Sequence, residues 1–479
     1  MRKKTLPAVV LCAATVLGVA GLSATPALAT GAAPKPAADF NGDGYADLAV
    51  GVPEATVGGK AKAGYVNVVW GGRKGLGAHG STTVSQASAG VPGTAERNDG
   101  FGYAVTPADM NGDGLTDLVV GTPDEDNGAA LDAGTVTVLW GARTGIKGGV
   151  TAVNGAAGSR LGRLVTTGDY DGDGDRDIAL STTGEESGGM ALRPGPVTTG
   201  STAPLRRIAG WHFGGPKAVA SADFDADGRD DLAVSYGDGE ITGTDVRSWA
   251  GADAQEWERT WHVGDYTRAL AAGDFDGDGT ADLALGNVTK SSEAEEGGVC
   301  PDTLGGSVAT VYGRSGTTLG GPTACTDQGR PGVGGEDEVG DAFGAHLAVA
   351  NLDRDGIDEL VVGSGSEAVG TAKNAGSYWV LASLGTGKPF VGPARSQNTA
   401  GVPGTAEAGD RFGAAVATGD FNGDGYPDTA VGAPGEDGAK GGVWYGATPK
   451  DGPNPAQVSV TPGKLGLTGA RAYGAVLGR

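Results

Sequence analysis

The chain has 479 residues, of which 92 are Gly and 24 are Pro, so about a quarter of it lies in the two residues that break helices, which excludes helical bundles and coiled coils. Apolar residues make up 39%, enough to build a sizeable core. Against 35 Lys and Arg stand 58 Asp and Glu, a formal charge of −23 that argues against nucleic acid or an anionic membrane surface as partner.

The chain opens on Arg2-Lys3-Lys4, then an apolar run from Leu6 to Ala20, then Ala24-Thr25-Pro26-Ala27-Leu28-Ala29, which ends in a small-x-small pattern. Charge, apolar run and cleavage pattern in that order predict a signal peptide over 1–29. Gly18, Gly21 and Pro26 interrupt the run, which weighs against the rival reading of an uncleaved anchor. Cys12 leaves with the leader. A short segment, 30–38, follows, and no later segment approaches 18 consecutive apolar residues. The mature chain is therefore expected to be secreted, extracellular and not inserted in a membrane. Export places Cys300 and Cys325, which flank the strand-like run Gly306–Tyr312, where one disulfide is permitted; two free thiols are the alternative.

From Asp39 onward one pattern recurs seven times at spacings of 51 to 77 residues: Asp-x-(Asp/Asn)-x-Asp-Gly-x-x-Asp, the sixth copy having Asn first and Glu last. Positions 1, 3, 5 and 9 of the successive loops are Asp39, Asn41, Asp43 and Asp47; Asp109, Asn111, Asp113 and Asp117; Asp169, Asp171, Asp173 and Asp177; Asp223, Asp225, Asp227 and Asp231; Asp274, Asp276, Asp278 and Asp282; Asn351, Asp353, Asp355 and Glu359; Asp420, Asn422, Asp424 and Asp428. Position 6 is Gly in every copy and position 2 is apolar in every copy, from Phe40 to Phe421. Of the 58 acidic residues, 24 stand at these positions, so the net acidity has an address rather than being a diffuse surface property.

Each loop runs out into a short strand such as Asp47–Gly51 or Asp117–Gly121, and downstream runs such as Gly134–Trp140 alternate with period two. Each module thus predicts three or four short antiparallel strands, the content of one propeller blade. The fold class expected is all-β: a seven-bladed β-propeller over 39–479. A Phe-Gly pair, or a degenerate version, stands eight residues before the last six loops, as at Phe101-Gly102, Phe343-Gly344 and Phe412-Gly413; the first loop lacks one. Tyr473-Gly474, followed by Ala475-Val476-Leu477, stands alone near residue 479. Ring closure accounts for both ends: the last strand completes the blade whose loop starts at Asp39, leaving no open sheet edge.

Oxygen side chains at positions 1, 3, 5 and 9, a backbone carbonyl at 7 and Gly at 6 make a hard-oxygen cage suited to Ca²⁺. Mg²⁺ fits less well because it demands near-ideal octahedral geometry. An EF-hand requires Glu at position 12, whereas position 12 here is Val or Leu in every copy, from Val50 to Val431. The cofactor expected is Ca²⁺ at up to seven sites. The sixth loop is the weakest candidate, because Arg354 replaces the usual small residue.

The Phe-Gly pairs, the loops and the Gly-x-Pro segments that follow, Gly51-Val52-Pro53, Gly121-Thr122-Pro123 and Gly432-Ala433-Pro434, resemble the FG-GAP repeats of the integrin alpha-chain propeller. The middle modules depart, with Ser181-Thr182-Thr183, Ser235-Tyr236-Gly237 and Gly286-Asn287-Val288 at the Gly-x-Pro place. The resemblance implies calcium on one face and a protein or glycan ligand on the opposite loop face, in a monomeric adhesion or ligand-binding module.

No Gly-x-Ser-x-Gly, His-Glu-x-x-His or phosphate-loop motif occurs, and no enzyme activity is expected. The rival class is a secreted hydrolase or its accessory propeller, phospholipase-like or polysaccharide-acting; the repeats fill 39–479, which argues against a separate catalytic domain. The four histidines are His79, His212, His262 and His346. His262 lies near Trp249, Trp257 and Trp261, which form either a sugar-stacking surface or packing between blades. The acidic insert Glu293–Glu296 is a candidate recognition loop, with a solvated loop as the alternative.

Overall fold

A computed structural model describes residues 38–182, 188–208, 215–237, 242–250, 257–288, 300, 303–320, 322–382, 384, 390–450 and 456–478. The leader, His212 and the Glu293–Glu296 insert lie outside the described residues.

The described residues form seven four-stranded antiparallel sheets, the blades of a propeller. The first blade contains β1 (Leu48–Val52), β2 (Tyr65–Val69) and β3 (Ser81–Val84). The second comprises β4 (Ala104–Ala108), β5 (Asp117–Thr122), β6 (Thr135–Leu139) and β7 (Gly149–Asn154). The third comprises β8 (Val165–Gly168), β9 (Asp177–Thr182), β10 (Gly189–Arg193) and β11 (Arg206–Ile208). The fourth comprises β12 (Gly215–Ala222), β13 (Asp231–Gly237), β14 (Thr242–Trp249) and β15 (Trp257–Val263). The fifth comprises β16 (Thr267–Gly273), β17 (Asp282–Asn287), β18 (Ser307–Val311) and β19 (Pro322–Thr326). The sixth comprises β20 (His346–Ala350), β21 (Glu359–Ser364), β22 (Ser377–Ala382) and β23 (Phe390–Val391), and the seventh β24 (Ala415–Gly419), β25 (Asp428–Ala433), β26 (Gly442–Gly446) and β27 (Val458–Val460).

The remaining strand, β28 (Val476–Leu477), pairs with β1 and completes the first blade. Gly478 N donates to Ala49 O at 2.8 Å and Tyr473 N to Lys440 O at 3.1 Å, so the C-terminal segment is held by the first and seventh blades together. Ring closure by the last strand is therefore the observed topology.

Burial explains the strand composition. β1, β2, β5, β6 and β25 are buried at every residue, whereas the outer β7 is mostly half-buried and β15 mostly exposed. A middle strand of a blade faces a neighbouring blade on each side, so even the polar members of an alternating strand such as β6, Thr135 and Thr137, are buried. The core is accordingly divided into seven wedges, each shared by two consecutive blades. The Phe of the Phe-Gly pair fills these wedges: Phe412 packs edge-on against Tyr378 at 5.8 Å and Trp444 at 5.5 Å, and Phe343 against Trp379 at 5.0 Å.

The Gly of the pair has a second task. A methyl group on Gly51 would lie 2.1 Å from the Gly102 carbonyl oxygen, and one on Gly432 1.9 Å from that of Gly474. The first Gly of Gly-x-Pro therefore exists to let the next Phe-Gly backbone lie flat on it, which links the two motifs physically. Each inner strand enters beside a Phe-Gly pair and, from the second blade on, leaves into an acidic loop. All seven run the same way around a central channel, with the acidic loops at its exit rim.

Candidate metal centres

From the second blade on, each acidic loop joins the first and second strands of its blade, and the first loop leads into β1. Asp39 Oδ1 accepts from Gly42 N at 2.6 Å and Asp43 N at 3.1 Å, and its Oδ2 accepts from Gly44 N at 2.9 Å. Asn41 Oδ1 accepts from Asp43 N at 2.9 Å, and Asp43 Oδ1 from Tyr45 N at 3.1 Å. The second loop repeats this with Asp109, Asn111 and Asp113. These bonds fold the loop, yet each carboxylate retains unused lone pairs.

Position 9 ties the loop to its blade. Asp47 Oδ2 accepts from Phe40 N at 3.1 Å and Oδ1 from Gly71 N at 2.9 Å; Asp117 and Asp282 make the equivalent pairs. The residue at position 2 is anchored in turn: Phe40, Tyr170, Phe224 and Phe275 are all fully buried.

In four loops, ligand-capable oxygens of three carboxylates lie within 4.8 Å of one another: Asp169, Asp171 and Asp173; Asp223, Asp225 and Asp231; Asp274, Asp276 and Asp282; Asp353, Asp355 and Glu359. The first, second and seventh loops carry Asn at position 3 in place of one carboxylate. The sixth loop, expected to be the weakest, also brings three carboxylates, Asp353, Asp355 and Glu359, within that distance. Arg354 points away, with its guanidinium 5.3 Å from the Tyr426 ring centroid.

Burial pushes every position-9 carboxyl up to about 7: Asp47, Asp117, Asp177, Asp231, Asp282, Glu359 and Asp428. Neighbouring loop carboxylates, such as Asp43 and Asp39 beside Asp47, add to the rise. Asp171 Oδ1 and Asn351 Oδ1 are enclosed without a hydrogen-bond partner. Convergent oxygens, self-repelling charge and unpartnered acceptors fit a hard divalent cation.

Three features escaped sequence reasoning. Position 4 has left-handed backbone, not only position 6: Gly42 has φ 70°, Ala226 58° and Arg354 63°. Position 8 links the loops to one another: Thr116 N donates to Asp39 O at 3.3 Å, Ala46 N to Asp420 O at 2.9 Å, Asp230 N to Asp169 O at 2.9 Å and Asp358 N to Asp274 O at 2.8 Å. Asp230 and Asp358 add side-chain bonds to Asp169 N and Asp274 N. The third lies on the opposite face, where Gln86 Nε2 meets Glu125, Gln328 meets Glu367 and Gln397 meets Glu436. The Gln and Glu are 39 residues apart each time, a constant offset that could have revealed the pair.

The Trp249 and Trp257 rings are buried and meet edge-on at 5.5 Å, with Tyr170 at 5.3 Å from Trp257. They belong to the wedge between the third and fourth blades, so packing, not a sugar-stacking surface, is their role. Trp261 Nε1 donates to Gly320 O at 3.0 Å and His262 Nδ1 lies 2.8 Å from Asp245 Oδ1. Cys300 and Cys325 form a disulfide. Among the described residues no helix is long and apolar enough to cross a membrane.

Residues 36–69, 101–139, 266–290 and 412–445 match the FG-GAP repeat. The fifth module, whose Phe-Gly and Gly-x-Pro places are degenerate, is among them. Phosphatidylinositol-glycan-specific phospholipase D of Rattus norvegicus is 32% identical over 155 residues, covering 32% of this chain and 18% of that protein. Integrin alpha-V of Gallus gallus is 30% identical over 213 residues, 41% of this chain and 19% of that one. The chain thus spans about a fifth of each of these relatives. A solved protein from Lactobacillus plantarum overlays with a TM-score of 0.48 at 12% identity, covering 90% of this chain and 98% of that one.

Proposed function

We propose that this chain, an FG-GAP repeat protein resembling the integrin alpha propeller, is an exported calcium-binding module that presents a ligand-binding face opposite its acidic loops. The observation that carries the metal reading is the convergence of three carboxylates in each of four consecutive loops, the third to the sixth, with Asp171 Oδ1 and Asn351 Oδ1 left without partners. Positions 1, 3, 5 and 9 of each loop would hold the ion. Bound Ca²⁺ would supply the positive charge that neutralises each cluster and stiffens the turn between two strands. The leader at 1–29 supports export, and the Cys300–Cys325 disulfide agrees with an oxidising compartment.

Calcium titration by calorimetry tests this. Several bound ions per chain and a melting temperature that falls in chelator are expected; fewer than three ions, or unchanged melting, would refute the multi-site structural role. Pull-downs from secreted and cell-surface material, with and without chelator, test the adhesion or ligand-binding role, for which the partner is a protein or a glycan and the active unit a monomer. The similarity to a phospholipase D over 155 residues favours one second reading, a hydrolase-associated propeller. Turnover of phospholipid or polysaccharide panels by purified protein would establish it, provided Asp-to-Ala changes in the loops left that activity intact.

A further inference from the structure

The channel mouth on the face away from the acidic loops has a charge opposite to that of the rest of the molecule. A cavity of about 570 Å³ is lined by the inner strands of all seven blades. Its lining includes Arg163, Lys217, Arg268 and His346 and no Asp or Glu, although acidic residues outnumber basic ones 58 to 35 in the chain. Among the described residues, no ion pair involves Arg163, Lys217 or Arg268.

Their placement is systematic. All three follow a Phe-Gly-like pair directly, in the third, fourth and fifth blades. Lys217 and Arg268 are the extra residues of β-bulges, where pairing skips from Pro216 to Ala218 and from Thr267 to Ala269. Arg163 is flanked in the same way, since Gly162 N donates to Ser181 O and Ser181 N to Leu164 O, both at 3.0 Å. A bulge re-aims the side chain it carries, and here it turns three consecutive cations toward one opening. The second blade places Tyr103 at this position, 38% exposed, with Arg163 Nη2 donating to its hydroxyl at 2.9 Å and the guanidinium 5.2 Å from its ring centroid. The sixth and first blades place Ala345 and Ala475 there, so the other half of the rim is open.

We infer that this mouth is the ligand site of the face opposite the metal loops, and that its ligand is an acidic glycan whose carboxylate or sulfate groups are received by Arg163, Lys217 and Arg268. This rests on the reading of the chain as a ligand-binding propeller and names the class of ligand. Guanidinium groups match planar oxyanions bidentately. Ala, Val and Leu predominate in the lining, and such low-dielectric walls focus the field of the cations on the opening. The Arg163 guanidinium covers one side of the Tyr103 ring and holds it in place; the part of the ring left exposed offers a flat, fixed surface for a pyranose face, which favours a glycan over an acidic peptide.

The test is calorimetric titration of the calcium-loaded full chain with galacturonate oligosaccharides, heparin-derived oligosaccharides, neutral dextran oligosaccharides and a poly-glutamate peptide. Binding of an acidic oligosaccharide and none of dextran is expected, with affinity falling as salt is raised. Arg163→Ala, Lys217→Ala and Arg268→Ala should each weaken it about tenfold, with unchanged melting temperatures. Galacturonate carries carboxylate alone and heparin both sulfate and carboxylate, so binding of galacturonate shows that carboxylate suffices, and binding of heparin alone that sulfate is needed. Equal binding of acidic and neutral sugars, no binding of acidic sugar, indifference to the triple substitution, or binding of poly-glutamate alone would each overturn the inference. If pull-downs recover a ligand equally well with the triple variant, the ligand-binding reading stands and this site falls. If acidic glycan still binds when chelator leaves melting unchanged, the metal reading falls and this site stands.

Discussion

Gln86 Nε2 donates to Glu125 Oε2 at 2.6 Å across the junction of the first and second blades. Both side chains are buried, and burial pushes the Glu125 carboxyl up to about 7. Gln86→Ala should therefore leave a buried carboxylate without its donor, at a cost of about 1–3 kcal/mol of unfolding free energy. The loss should be larger at pH 8 than at pH 5.5, where protonation removes the buried charge. Urea unfolding of the variant at the two pH values checks both claims, and a loss equal at both would refute the electrostatic account.

The seven position-9 carboxyls have folded values near 7, against about 4 for an exposed carboxyl. Between those values these seven sites hold more protons in the metal-free folded state than in the unfolded chain, so their contribution to stability is full below pH 4 and is lost as pH rises through 7. Metal-free protein should accordingly melt at a lower temperature at pH 8 than at pH 5. Calcium should reverse the order, because the ion binds the deprotonated loops. Calorimetric scans of metal-free and calcium-loaded protein decide it; a metal-free melting temperature that climbed toward pH 8 would sink the argument.

Tyr473 donates its hydroxyl to Asn67 Oδ1 at 2.8 Å, joining segments 406 residues apart. Tyr473→Phe removes that buried bond and should cost about 1–2 kcal/mol. Gly432→Ala should cost more, because its methyl would lie 1.9 Å from the Gly474 oxygen and push the closing segment off the seventh blade. Deleting 464–479 should yield an aggregation-prone chain that no longer responds to calcium. Melting of the truncated chain at the full-length temperature would contradict ring closure.

Ala226 occupies position 4 of its loop at φ 58°, where most copies have Gly. Ala226→Gly should raise stability by about 0.5–1 kcal/mol, the relief of left-handed strain less the entropy of Gly. Arg354→Gly should gain less, since it also removes the contact with the Tyr426 ring. Thermal scans of the two variants rank them.

Legibility in the sequence followed where the information is stored. Asp39 to Asp47 and its six copies repeat side-chain identities, so loop geometry, blade count and the closing role of Val476 and Leu477 could all be read from the chain. The tie from Thr116 N to Asp39 O uses backbone atoms and leaves no residue signature. Glu125 and Gln86 are ordinary residues until the fold juxtaposes them. Arg163, Lys217 and Arg268 differ from Tyr103 and Ala345 at the same repeat position, so a search for sameness passes over them. The Trp249 cluster was ambiguous because aromatic density does not reveal whether a ring faces water or the next blade.

Seven inner strands running in one direction give the propeller a polarity that no single blade has. Cations collect where those strands begin, and the 24 loop carboxylates lie where they end. The two mouths of the channel thus differ in sign, although Glu125, Glu367 and Glu436 keep the cationic face acidic away from the channel. A polyanion would therefore be drawn in only near the axis, within about a Debye length, near 8 Å at physiological salt, so the field would centre it on the mouth.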